Sequence, residues 1–162
     1  MSPTEVSGAT PVQPAQVLRR FRIVFNAVRT HFKQVEKQVG LGGAQVWALS
    51  VIRDQPGVGL GELANCMDVH QSTASNLVKG LLTKGLIRAE KGQTDKRQVL
   101  LFVMPAALAL LDNAPGPFEG VLPGALAKLP EATLQQLDHD LAELIALLRV
   151  DEVAGNVPLA DL

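Results

Sequence analysis

Cysteine is almost missing from this chain: Cys66 stands alone among 162 residues. One thiol excludes an intrachain disulfide framework and a four-cysteine zinc site, and it suits a reducing compartment. Tyrosine is absent and aromatic residues make up only 4%, which argues against a platform that stacks RNA bases. The longest uncharged apolar run, Val99 to Leu111, is too short to cross a bilayer and is broken by Pro105. The first residues lack the basic flank and apolar centre of a secretory signal. Neither sign of charge dominates, the formal net being −1, so the chain as a whole is not a generic polycation. His31, His70 and His139 are scattered, with no carboxylate–histidine group at zinc-ligand spacing. There is no glycine-rich phosphate loop and no nucleophile elbow. These absences lead us to expect a soluble, cytoplasmic protein that is not an enzyme and has no catalytic residue, cofactor, metal or membrane partner.

What is present is enough for a core. Hydrophobic residues make up 47% and charged residues 19%, which excludes disorder throughout. The length fits one domain with appended interface helices. The near-zero net charge hides a partition. Residues 15–40 carry Arg19, Arg20, Arg22, Arg29, Lys33 and Lys37 against Glu36 alone. Residues 70–103 carry Lys79, Lys84, Arg88, Lys91, Lys96 and Arg97 against Glu90 and Asp95. Residues 104–162 hold Lys128 and Arg149 against nine acids, a net of −7. Fields at a surface are local, because salt screens them over about 8–10 Å, so a basic middle can meet phosphates whatever the total.

Apolar spacing gives the order of elements. Residues 1–14, with three prolines among small polar residues, read as a flexible arm. From Leu18 a series of three- and four-residue steps (Phe21, Phe25, Val28, Phe32, Val35, Val39) predicts a helix with a coiled-coil-like seam over 15–40. A second helix puts Ala44, Trp47, Ala48 and Val51 on one face and stops before Pro56-Gly57. Leu60, Leu63, Ala64 and Met67 mark a short third helix, with Cys66 beside that stripe as a buried, inert thiol, an intermolecular disulfide being the alternative. Asp68 supplies a turn, and a fourth helix begins near Gln71 with the stripe Ala74, Leu77, Val78, Leu81 and Leu82. Leu86 to Arg88 and Gln98 to Val103, around a polar glycine-containing turn, read as a β-hairpin. Pro105 opens a further helix that Pro115 to Pro117 interrupts, and Pro123 marks another irregularity. From Pro130 a last helix carries Leu134, Leu137, Leu141, Leu144 and Leu148. The fold class is therefore mainly α with a small β-hairpin wing.

Two short helices, a tight turn and a hairpin make a winged helix-turn-helix. A helix about 10–12 Å across fits a major groove about 12 Å wide. Such a helix must bury one stripe and offer short hydrogen-bonding groups on the other face. Residues 71–82 meet both demands. Gln71 and Asn76 have the paired donors and acceptors that suit adenine, Ser72, Thr73 and Ser75 suit phosphate or bases, and Lys79 suits phosphate or guanine.

From Leu41 to Val103 the sequence resembles the MarR-type (multiple antibiotic resistance regulator) transcription factors. The resemblance rests on Gly61-Glu62-Leu63-Ala64, on Val69 through Val78, on Leu82-Thr83-Lys84-Gly85-Leu86-Ile87, and on the Asp-x-Arg wing signature at Asp95-Lys96-Arg97. It implies a winged helix-turn-helix domain over 41–103, with 15–40 and 104–162 as dimerisation helices. It also implies a homodimer on a pseudo-palindromic operator, acting as a ligand-responsive repressor. Arg97 is then expected to reach the minor groove or backbone, Asp95 to steady it through a salt bridge, and Lys91 and Lys96 to add basic contacts. An effector, often an anionic aromatic in this family, is expected between the dimer and DNA-binding regions. Trp47, Phe25 and Phe32 are the candidates for its pocket, although core packing is the better account of each. The sequence departs from the pattern at Ala89, where arginine is common and Arg88 is one place away, and at Met104, which cannot cap the next helix as threonine would. A winged-helix protein-interaction module that does not bind DNA is the alternative.

Overall fold

The computed structural model describes residues 8–161. The arm expected over 1–14 lies outside the described residues as far as residue 7, and residues 8–13 have no regular secondary structure. Helix α1 (Pro14–Val39) starts with Pro14 in its first turn and ends where Gly40 turns left-handed at φ 69°. The proline needs no N–H there, and the glycine adopts that φ without a Cβ clash. Only the second half of α1 is buried, through Val28, Phe32 and Val35. Leu18, Ile23 and Phe25 on the first half stand exposed.

Helix α2 (Gly43–Asp54) is the axis of the molecule. It packs against α1 and against five elements that follow it in the chain: α3 (Leu60–Met67), α4 (Gln71–Thr83), strand β2 (Val99–Val103), α5 (Pro105–Asn113) and a 3-10 turn at Leu159–Asp161. The single apolar face expected for α2 is therefore too narrow. Val46, Leu49 and Ile52 are buried on its other sides together with Ala44 and Ala48, as befits a helix surrounded by neighbours. Its one buried polar residue, Ser50, donates its hydroxyl to the Trp47 carbonyl at 2.6 Å.

Helices α3 and α4 pack together across a turn in which Asp68 takes a left-handed conformation at φ 52°. Strand β1 (Ile87–Lys91) pairs antiparallel with β2, from Ile87 opposite Val103 to Lys91 opposite Val99. An antiparallel bridge between Val58 and Leu101 ties the root of this hairpin to the segment between α2 and α3. Leu101 is fully buried, whereas the far end of the hairpin is exposed. The wing is thus anchored at its root and free at its tip.

After α5 the chain departs from the expected order. A short helix α6 (Val121–Ala127) forms where prolines predicted only irregularity, and it packs on α1. Pro123 lies in its first turn, where a missing N–H costs no helical hydrogen bond. Helix α7 (Glu131–Leu148) follows, with Pro130 as its N-cap. It buries no residue and packs substantially against no other element. The chain then reverses at Arg149 (φ 54°) and returns through 3-10 turns at Glu152–Asn156 and Leu159–Asp161. The second of these turns packs against α1 and α2. No described helix is long and apolar enough to cross a membrane.

Candidate nucleic-acid interface

Helix α4 is held by its apolar stripe. Ala74 and Leu81 are fully buried, Leu77 and Val78 nearly so. Leu82, expected in the same stripe, is 40% exposed; a step of one residue after Leu81 carries it about 100° round the helix. On the opposite face Gln71, Ser72, Asn76 and Lys79 are exposed, and Thr73 and Ser75 are half-buried. The polar side chains are therefore not folded under the protein's own interior. Gly80 lies so close to the Gln45 amide that a Cβ there would collide with it. Lys84 donates to Gln45 Oε1 at 3.2 Å, which fastens the end of α4 to α2.

The start of α4 is capped by an unusual residue. His70 stands where a Ser or Thr cap is commoner; it is exposed and is the N-cap, and its Nδ1 accepts from the Ser72 backbone N–H at 3.2 Å. The same nitrogen lies 2.8 Å from Ser72 Oγ. This ring nitrogen takes the place of the Ser or Thr oxygen usual at that position. The only signal was position, directly before the polar and apolar pattern of α4.

At the wing, the turn 92–98 is closed by backbone bonds from Gly92 N–H to Gln98 O (2.9 Å) and from Gln98 N–H to Asp95 O (3.0 Å). The salt bridge expected between Asp95 and Arg97 is not formed. Asp95 Oδ1 instead accepts the Arg97 backbone N–H at 3.0 Å, so the acid shapes the turn, a short-range bond typical of Asp in turns. Among the described residues the Arg97 guanidinium has no ion-pair partner, and Lys91, Lys96 and Arg97 are all exposed. Arg88 is engaged: it pairs with Glu90 and lies 4.4 Å over the Phe102 ring. It therefore braces the hairpin and does not stand in for the arginine absent at Ala89.

The three aromatic candidates do not line one pocket. Phe32 separates two cavities. Trp47, Cys66 and Met67 line the first, of about 570 Å³. Phe25, Arg29, Lys33 and Glu36 line the second, of about 560 Å³. Phe25 is 56% exposed and so is not core in the single chain. Cys66 is exposed too, and Gln55 Nε2 donates to its sulfur at 3.4 Å. The expectation of a buried thiol fails because Leu63, Ala64 and Met67 take the inner face of α3 and leave Cys66 at a cavity rim. Among the described residues one group with metal-ligating side chains, His139, Asp140 and Glu143, lies close together on exposed α7. His139 and Glu143 stand one turn apart, with 3.3 Å between Nε2 and Oε1, a helical pair that the sequence survey passed over.

Comparison with known proteins agrees with this geometry. A sequence profile of the MarR family matches residues 39–98. No curated protein matches the chain. Among solved structures, a cysteine-to-serine mutant of MarR from E. coli complexed with operator DNA is 15% identical, with a TM-score of 0.56 over 83% of this chain and 99% of that one. A MepR–DNA complex from S. aureus is 18% identical, with a TM-score of 0.56 over 86% of this chain and 100% of the other. BpsR of Bordetella bronchiseptica, whose DNA binding is regulated by 6-hydroxynicotinic acid, is 22% identical, with a TM-score of 0.51 over 93% and 100%. The chain shares the winged helix-turn-helix fold of these regulators along most of its length, and residues 39–98 are similar to the MarR family.

Proposed function

We propose that this protein is a transcription regulator that binds double-stranded DNA in a sequence-specific way, as a homodimer on a pseudo-palindromic operator, and acts as a ligand-responsive repressor. One observation carries the DNA reading: α4 buries Ala74, Leu77, Val78 and Leu81 while exposing Gln71, Ser72, Asn76 and Lys79. Gln71 and Asn76 are assigned to base edges, Ser72, Thr73, Ser75 and Lys79 to bases or phosphate, and Lys91, Lys96 and Arg97 to the backbone or minor groove. Asp95 sets the wing turn from which Arg97 projects.

The dimer is supported by apolar surface that one chain does not use. The first half of α1 and one side of α7 expose Leu18, Ile23, Phe25, Leu134, Leu144 and Ile145. The charges match as well: basic residues crowd α1, and α7 carries Glu131, Asp138, Asp140 and Glu143 without one lysine or arginine. A symmetric dimer would set two recognition helices about 10 bp apart on a two-fold site. Effector response is supported by the two cavities that meet at Phe32, whose sizes fall in the range of small-molecule sites.

Selection of bound sequences from random duplex DNA tests this reading. A two-fold-symmetric enriched site is expected. Failure to retain any duplex would favour the protein-interaction module instead.

A further inference from the structure

The segment after α7 has its own business with the recognition helix. It leaves α7 at Arg149, is started by Asp151, whose Oδ1 accepts the Val153 N–H at 3.1 Å, and reaches the helix-turn-helix at Asn156. There the Asn156 carbonyl accepts the backbone N–H of His70, the N-cap of α4, at 3.2 Å. Beyond that point Pro158 is buried, Ala160 is packed against the core, and Leu159 and Ala160 border both cavities. One strap of chain thus joins α1, α2 and the start of α4.

Its charge is one-sided: residues 150–161 contain Asp151, Glu152 and Asp161 and no base. Glu152 and Asn156 are the ends of one short 3-10 turn, about 8 Å apart along the backbone at about 2 Å per residue. That distance is no greater than the screening length in physiological salt. The first turn of α4 has no acidic residue of its own. A helix N-terminus attracts negative charge and is a ready seat for phosphate. Carboxylates brought beside it steady the free helix and repel an incoming phosphate.

We propose that residues 150–161 form an autoinhibitory strap, which docks between α1 and α2, holds the N-cap of the recognition helix and lowers affinity for DNA until it is released. The proposal rests on the DNA reading of α4 given above.

Two full-length variants test it. Ala160→Asp places a charge in the docking groove and frees the strap. The double variant Asp151→Asn/Glu152→Gln keeps the strap docked, since asparagine can still accept at that cap, but removes its charge. Trp47 is the only tryptophan, tyrosine is absent, and Trp47 lines the cavity that the strap borders, so its emission reports docking. The probe is a random-sequence duplex, titrated at low and high salt. Ala160→Asp is expected to red-shift Trp47 emission and, despite its added negative charge, to tighten binding roughly three- to tenfold at low salt. The double variant is expected to tighten binding with emission unchanged, and both gains shrink at high salt. An Ala160→Asp protein with shifted emission and equal or weaker binding overturns the strap, as does unmoved emission. Should Ala160→Asp fail to fold by circular dichroism, the double variant decides alone, and unchanged affinity overturns the proposal. Absence of duplex binding by wild type and variants alike sinks the DNA reading and the strap with it.

Discussion

Arg97 carries an exposed charge in the proposed interface. Its backbone is fixed by Asp95, yet its guanidinium has no ion-pair partner among the described residues. A free cation on a fixed turn is suited to a phosphate. Arg97→Ala is expected to weaken binding to all duplexes and to reduce the slope of log K against log salt by about one. An unchanged slope would remove Arg97 from the interface. Gly120 makes a different kind of demand. It has φ +97°, and a Cβ built there would lie 2.7 Å from Phe32 Cζ. Gly43 crowds the same ring from α2. Gly120→Ala must therefore strain the backbone or push the ring that separates the two cavities. Overpacking of this kind costs about 1–3 kcal/mol, and thermal unfolding is expected to move down by roughly 2–4 °C per kcal/mol. An unchanged midpoint would show that Phe32 yields freely.

Helix α5 is built with a weak start. Met104 is its N-cap in an extended conformation (φ −91°, ψ 159°) with no side-chain hydrogen bond to the first turn. Met104→Thr offers an oxygen to that turn and is expected to stabilise the protein by about 1 kcal/mol, read as a higher unfolding midpoint. A lower midpoint would mean that the packing of the half-buried methionine outweighs the cap. This defect was legible in the sequence, and so were α3, α4 and the hairpin, because stripe, turn residue and cap all lie within a few positions of one another. Elements defined by distant neighbours were not. The burial of Val46, Leu49 and Ile52 on α2 depends on the surrounding elements, which no local period records. Helix α6 was hidden by prolines that the first turn tolerates. The strap at 150–161 has no apolar period, and its docking rests on one backbone bond and a few small residues.

At the scale of the molecule, α7 is the decisive element because it has no place in a single chain. It buries no residue along its length, with Leu144 37% and Ile145 39% exposed. A helix this apolar on one side is stable when that side is covered, since burial of each such side chain contributes about 1.5–3 kcal/mol. The proposed partner is a second copy, whose basic α1 complements the acidic charge of α7. Leu144→Glu/Ile145→Glu is expected to convert the dimer to a monomer by light scattering, with the winged-helix core still folded by Trp47 emission. DNA binding should then weaken by roughly tenfold or more on the two-fold site and approach that of a half-site, with the salt slope roughly halved, because each copy contributes its own phosphate contacts. A variant that stays dimeric would move the interface off α7, and the apolar face of α1 would then have to carry it with another element. A monomer that still holds the symmetric site at full affinity would break the link between symmetry and recognition on which the operator geometry depends.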